Sequence, residues 1–207
     1  MTTFDYLRIL HEEIHTVVMA TADDSGLPVT CAVDILDHVD ESLYFLTSKG
    51  KTFYKRLKKT SFVALTGAKG TSTLNRASIS LRGKVREVGN AMIPELLEKN
   101  PFMKTAYPTE EARRQLTVFQ LYEGTGEWFD FTKKPIERAY FSFGGGAGEE
   151  KGFFITARCV GCGTCINSCP QDCISENGLP FVIDQQHCMH CGNCMDACPE
   201  NAIVERR

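Results

Sequence analysis

The sequence has no long apolar run: nothing in its 207 residues approaches the roughly 18 needed for a membrane-spanning helix. A basic excess is also missing. With 23 Lys and Arg against 26 Asp and Glu the formal net charge is −3, which argues against nucleic acid or an anionic membrane as a partner. The opening residues hold no apolar signal segment, so an oxidising compartment is not expected, and a cytoplasmic protein with reduced thiols is. Tryptophan occurs once, at Trp128, with an ordinary core or interface reading. Cysteine is nearly absent from the first 150 residues, where only Cys31 stands, and nine follow after that point. This imbalance divides the chain into two regimes.

The later regime contains a duplication. Cys159, Cys162, Cys165 and Cys169-Pro170 spell C-x2-C-x2-C-x3-C-P, and Cys188, Cys191, Cys194 and Cys198-Pro199 spell it again at an offset of 29 residues. Gly163 falls on Gly192 and Ile174 on Ile203 under the same offset. Eight thiolates suffice for two [4Fe-4S] clusters, and in this pattern the fourth cysteine of each run serves the other cluster. The expected sets are therefore Cys159, Cys162, Cys165 and Cys198 for one cluster, and Cys188, Cys191, Cys194 and Cys169 for the other. Zinc and disulfides are the competing readings. Zinc pairs seldom form a triple C-x2-C-x2-C, and disulfides would need the oxidising compartment already set aside. The ninth cysteine, Cys173, occupies the place of Ala202 in the second copy and reads as a small buried residue. His187 and His190 flank a ligand and read as outer-shell or exposed. The last 57 residues are too few for a large core, so the clusters would act as the staple. Residues 151 to 207 resemble the bacterial two-cluster ferredoxins, a small α+β fold.

The earlier regime opens with Phe4, Leu7, Leu10 and Ile14 at helical spacing. Strands are expected at 16–21, 28–35, 43–46, 62–66, 77–81, 83–88, 116–122 and 127–131, the last two joined through Gly124 and Gly126, with a helical segment at 93–99. Thr47-Ser48-Lys49-Gly50-Lys51 lies between a strand and a helix that carries Phe53, Tyr54 and Leu57. A helix start of this kind gathers free N–H groups, hydroxyls and ammonium charges, which is what a phosphate requires; a capped, solvated basic face is the plainer alternative. Many short strands with few helices indicate a mainly β fold, a closed barrel with peripheral helices.

Residues 1 to about 143 resemble the pyridoxamine-5′-phosphate-oxidase-like split-barrel flavoproteins. The resemblance rests on Leu43-Tyr44-Phe45-Leu46-Thr47-Ser48, Lys51 and Tyr54-Lys55-Arg56-Leu57, followed in order by Ala77-Ser78-Ile79-Ser80-Leu81-Arg82-Gly83 and Phe119-Gln120-Leu121-Tyr122. It implies an FMN at a homodimer interface. Thr47, Ser48, Lys49 and Lys51 would hold its phosphate, Thr30, Cys31 and Ala32 would line the isoalloxazine, and Ser78 would reach the flavin. Where the oxidase proper has arginines, this chain has Cys31 and Ser80, so pyridoxamine-phosphate oxidation is not expected. For Cys31 a small core residue is the alternative.

Three segments result: 1–143, a flavin-binding split barrel; 144–152, a glycine-rich linker; and 153–207, a two-cluster ferredoxin-like domain. The expected function is that of an iron-sulfur flavoprotein oxidoreductase passing electrons between two [4Fe-4S] clusters and FMN, with a soluble protein as electron donor or acceptor and a small-molecule acceptor. The alternative is a non-enzymatic electron carrier or redox sensor.

Overall fold

The computed structural model describes residues 1–148 and 151–206; Glu149 and Glu150 of the expected linker, and Arg207, lie outside the described residues. The chain divides into two compact units, one of Met1–Lys69, Ser78–Glu127 and Phe141–Ala147, the other of Gly70–Ala77, Trp128–Tyr140 and Gly148–Arg207.

The first unit begins with helix α1 (Thr3–Arg8), closed at its start by a reciprocal cap in which Asp5 N–H donates to Thr2 Oγ1 and Thr2 N–H to Asp5 Oδ2. The helical spacing read from the sequence continues, but as a wider π-helical turn over Ile9–Ile14. Leu7 and Leu10 are buried, whereas Phe4 is about half exposed (49%). Strands β1 (Thr16–Ala22), β2 (Pro28–Val39), β3 (Ser42–Ser48), β4 (Phe62–Ser72), β5 (Asn75–Gly89) and β6 (Leu116–Asp130) follow, with β7 (Glu137–Phe143) at the edge; residues 70–72 of β4, 75–77 of β5, 128–130 of β6 and 137–140 of β7 belong to the second unit. The sheet order is β3-β2-β1-β4-β5-β6-β7, and an additional β3–β6 pairing closes the first six strands into a barrel. Closure leaves neither β3 nor β6 with an open edge there. Helix α2 (Thr52–Thr60) lies between β3 and β4, and α3 (Ile93–Lys99), α4 (Phe102–Ala106) and α5 (Glu110–Arg113) lie between β5 and β6. The mainly β architecture with peripheral helices is thus the one expected.

Two pairs of expected strands are single long ones. Residues 77–81 and 83–88 belong to β5, and 116–122 and 127–131 merge into β6 as far as Asp130. The glycines between them make close approaches rather than turns. A Cβ at Gly83 would collide with the Glu123 carbonyl oxygen of the neighbouring strand. One at Gly124 would lie 2.9 Å from Cζ of Phe143, and one at Gly126 within 2.8 Å of three ring carbons of Phe141. These strand-interior glycines admit the aromatic side chains of β7 against β6. The interior itself is filled by Phe45, Phe119, Met19, Ile35 and Ile79, with the Phe45 and Phe119 rings stacked at 5.8 Å. Leu96, Leu97 and Met103 of α3 and α4 form a satellite core with Leu36, Tyr44 and Val118.

The second unit contains β8 (Gly152–Ile155) paired antiparallel with β11 (Ile203–Arg206), β9 (Ile174–Ser175) paired with β10 (Val182–Ile183), and two short helices, α6 (Thr164–Asn167) and α7 (Asn193–Asp196). The two helices start at equivalent glycines of the duplicated run, Gly163 (φ +78°) and Gly192 (φ +83°). A left-handed residue at that point costs little only for glycine. Among the described residues no helix is long and apolar enough to cross a membrane.

Gly126→Ala should lower stability by about 1–3 kcal/mol, the usual range for overpacking. Gly50→Ala, with nothing within 4 Å of the added Cβ, should leave it nearly unchanged. Urea unfolding followed by circular dichroism would check both, and equal midpoints would refute the steric account.

Candidate cluster and cofactor sites

In the second unit the duplicated loops bring the eight motif cysteines into two groups. Cys159, Cys162, Cys165 and Cys198 line one small pocket, together with Ile155, Phe181 and Ile203. Cys169, Cys188, Cys191 and Cys194 line another, with Cys173, Phe153, Ile174 and Ile183. Each cavity takes three thiols from one C-x2-C-x2-C run and the fourth from the Cys-Pro of the other. All ten cysteines of the chain are free. A set of four thiols in an apolar pocket is the donor chemistry of an iron-sulfur cluster or of a thiophilic metal.

Electrostatics differ between the two groups. Burial pushes the Cys165 thiol up, and the Cys194 thiol up to about 11. Cys162 is drawn down by its hydrogen bond with Thr164, at 3.4 Å. Cys188 is lowered to about 6, first by a hydrogen bond from Cys173, with help from the His190 N–H and the Arg138 charge against burial. Cys173 is raised correspondingly, so its S–H is the donor in that pair. It is buried and its sulfur lies 3.5 Å from that of Cys169. At the corresponding place in the other copy Ala202 offers only its backbone, whose N–H donates to Cys198 Sγ at 3.3 Å.

Arg138 is the residue of this neighbourhood that composition and spacing did not single out. Its guanidinium lies over Phe129 at 4.7 Å, Nη2 donates to the Met189 carbonyl (3.4 Å), and Nη1 lies 2.9 Å from His190 Nδ1. Burial and the Arg138 charge lower His190 to about 4, so its imidazole is neutral near pH 7 and accepts the Arg138 hydrogen bond through Nδ1. His187 is oriented differently, with Nδ1 2.7 Å from the Ile136 carbonyl oxygen.

In the first unit the hydroxyl-and-lysine turn occurs where β3 gives way to α2. Thr47 and Ser48 end the strand, Lys49 N–H donates to the Gln115 carbonyl (2.9 Å), Lys51 N–H donates to Ser48 C=O (3.0 Å), and Lys51 is the α2 N-cap without a side-chain capping bond. Thr47 is only 3% exposed, yet its Oγ1 has no hydrogen-bond partner among the described residues. Lys49 and Lys51 are exposed. A buried hydroxyl lacking a partner, uncapped helix N–H groups and two ammonium charges fit an anionic group such as a phosphate.

The other candidates lie on the sheet. Thr30, Cys31 and Ala32 pair with Ala20, Met19 and Val18 of β1, which in turn pair with Ala64, Leu65 and Thr66 of β4. Ala32, Val18 and Thr66 thus form one row and Thr30, Ala20 and Ala64 the next; Val18 is 50% exposed. Ser78 is half-buried on β5, separated from β2 by β1 and β4. Cys31 is half-buried, its thiol raised by burial against the opposing charges of Arg56 and Lys51. Arg56, part of the Tyr54-Lys55-Arg56-Leu57 string that carries the resemblance, turns inward and donates from Nε to Thr21 Oγ1 at 2.7 Å. The helix is further anchored at Glu87 of β5, which accepts from Tyr54 (3.2 Å) and Lys58 (3.0 Å) of α2 and from Thr117 (2.7 Å) of β6.

A closed barrel and, on the same chain, two pockets that each gather four motif thiols make a composite protein carrying the donor sets of iron-sulfur chemistry. Residues 158–203 match the family described as the 4Fe-4S dicluster domain. No curated protein matches the chain. Among solved structures, a NimC/NimA family protein from Clostridium acetobutylicum is similar at TM-score 0.55 and 21% identity, over 67% of this chain and 90% of that one. A protein from the same organism related to general stress protein 26, of the pyridoxinephosphate oxidase family, is similar at 0.52 and 19%, over 67% and 92%. A heme binding protein from Mycobacterium smegmatis gives 0.52 and 12%, over 67% and 58%. At these identities the likeness establishes the fold, and the barrel is a split barrel of the kind the sequence resembles.

Glu87 sets a pH dependence for the seat of α2. Burial opposes its ionisation, but hydrogen bonds from Thr117 and Lys58 outweigh it and hold the carboxyl below its usual range. A lowered folded-state pKa contributes stability at neutral pH that is lost as pH falls through that value. Wild type should therefore exceed Glu87→Gln in urea-denaturation stability at pH 7, with the gap closing below about pH 4. A gap independent of pH would contradict this.

Proposed function

We propose that the chain is an iron-sulfur flavoprotein oxidoreductase that passes single electrons between two [4Fe-4S] clusters and an FMN, which reduces a small acceptor. The observation that carries the reading is the separation of eight thiols into two sets of four, on one chain with a turn suited to a phosphate. Cys159, Cys162, Cys165 and Cys198 would hold one cluster, and Cys188, Cys191, Cys194 and Cys169 the other. Thr47, Ser48, Lys49 and Lys51 would hold the FMN phosphate, with the Thr47 hydroxyl gaining the partner it lacks. Thr30 and Ala32, on one face of β2, and Ser78 would face the ring system, whereas Cys31, proposed with them from the resemblance, lies opposite buried Met19 and points to the other face. Bound, FMN supplies a carrier that accepts electrons one at a time and delivers two together, whereas each cluster passes one.

The exposed row of small and apolar side chains on β2, β1 and β4 supports a homodimer, since a flat face of this kind can cover both a planar ring and a second copy. Val18 (50% exposed) and Phe62 (45%) are its large apolar members. A soluble protein donor or acceptor would exchange electrons with the cluster unit. The alternative is a carrier or sensor with no substrate of its own, and it is favoured by Cys31 and Ser80 standing where the oxidase proper has arginines.

Arg138 and Cys173 give this reading a polarity. Both act on the set containing Cys188, and both a positive charge and an S–H donor favour an added electron there. That set would accept electrons more readily than the set containing Cys198.

Anaerobically purified protein should contain about eight iron and eight acid-labile sulfide per chain, as two four-iron clusters require, together with FMN. Thr47→Val should weaken FMN binding while leaving iron content unchanged. Protein with clusters but no affinity for FMN would remove the flavin reading, and turnover of a small acceptor would separate the enzyme from the carrier. In a redox titration followed by electron paramagnetic resonance, Arg138→Gln should lower the potential of one cluster only. Equal movement of both clusters, or of neither, would remove the polarity.

A further inference from the structure

His11 and His38 are 27 residues apart in sequence, yet their Nδ1 atoms lie 2.9 Å apart, with ring centroids at 5.1 Å and planes at 52°. Each is delivered by a local irregularity. His11 lies in the π-helical turn Ile9–Ile14, whose C-cap His15 takes a left-handed φ of 63°. His38 follows the bulge between Ile35 and Asp37, where the β2–β3 register shifts. Wide helical turns and bulges both sacrifice regular pairing and often re-aim a side chain at a functional position. Here the two converge on one point. Both rings are half-buried, and Phe4 packs against His38 at 5.1 Å.

The chemistry of the pair is that of a cation ligand. Neutral imidazole offers a lone pair on one nitrogen, and two such nitrogens pointed together can share only one proton in a hydrogen bond. Burial, and then the proximity of His38, hold His11 below its ordinary range; Asp37 and Glu12 oppose this and His15 adds to it. A third donor is at hand, because a Glu12 carboxylate oxygen and the two imidazole nitrogens all lie within 4.8 Å of one another.

We propose that His11, His38 and Glu12 form a binding site for a divalent cation of the zinc class, with water as the fourth ligand. Tetrahedral ligands at zinc distances of about 2.0–2.1 Å sit about 3.4 Å apart. The histidine pair therefore needs to open by roughly half an ångström, and the exposed Glu12 side chain to swing inward. Releasing Glu12 does not strand its present partner. Arg8 Nη1 contacts Glu12 at 3.2 Å but also Glu13 at 3.3 Å, and so keeps a carboxylate. Two imidazoles and one carboxylate suit zinc better than calcium or magnesium, which prefer oxygen alone.

The test uses cluster-loaded protein, so that the motif thiols are already engaged, and titrates it anaerobically with zinc chloride by calorimetry. Wild type should bind one zinc that the His11→Gln/His38→Gln double variant does not. Glu12→Gln should bind it at least about tenfold more weakly, with iron content and circular dichroism unchanged in all three. Because the double variant could misfold, crystals of wild type soaked in zinc provide an independent reading. An anomalous peak between His11 and His38 supports the site. No peak there, or the same zinc uptake by wild type and a folded double variant, would show a hydrogen-bonded histidine pair that binds no metal.

Discussion

The second unit depends on the packing of its own thiols. Of the nine residues in its buried cluster, four are Cys165, Cys173, Cys188 and Cys194; the others are Phe153, Ile174, Phe181, Ile183 and Ile203. A unit this small cannot enclose enough hydrocarbon to offset the entropy of ordering its loops. Three of these sulfurs, of Cys165, Cys188 and Cys194, are proposed ligands as well as part of the centre of the fold, so metal binding would be coupled to folding in this unit. Duplication solves the geometric problem economically, because each loop supplies three neighbouring thiols and lends its fourth to the other.

Duplication also leaves room for asymmetry. The two copies agree at every ligand and diverge at the residues around them: Cys173 against Ala202, Thr164 against Asn193. Arg138 comes from outside the repeat altogether, on β7, and binds the segment between Cys188 and Cys191 through Met189 and His190. Equal ligand sets can therefore sit in unequal fields. A guanidinium held over an aromatic ring and away from bulk water is screened less than a surface lysine, so its charge is felt more strongly.

The first unit obeys a different constraint. Pairing of β3 with β6 closes the barrel and fixes where the β3–α2 turn must stand. Glu87 and Thr21 then hold α2 from two strands, through Tyr54, Lys58 and Arg56. The departures from regular structure, the π-helical turn and the β2 bulge, both fall at one pair of histidines. The strand-interior glycines have a different task. At Gly124 and Gly126 a break in hydrophobic pattern reads as a turn, but the missing side chain makes space for Phe143 and Phe141.

Local order was therefore legible, and cross-chain placement was not. The cysteine spacing, the strand-turn-helix around Lys51, the strand-rich barrel and the buried place of Cys173 all follow from residues within a few positions of one another or from an internal copy, where short loops restrict the geometry. Nothing in the order of letters brings His11 to His38 across 27 residues, or Arg138 to His190 across 52. Those meetings depend on strand register, on a bulge that turns one side chain and on a helix that widens by one residue. Sequence by itself determined which chemical groups the protein carries and how they are grouped along the chain. Tertiary structure decided which of them share a field, because electrostatic and metal-ligand interactions act across a few ångströms of space, whatever the distance along the backbone.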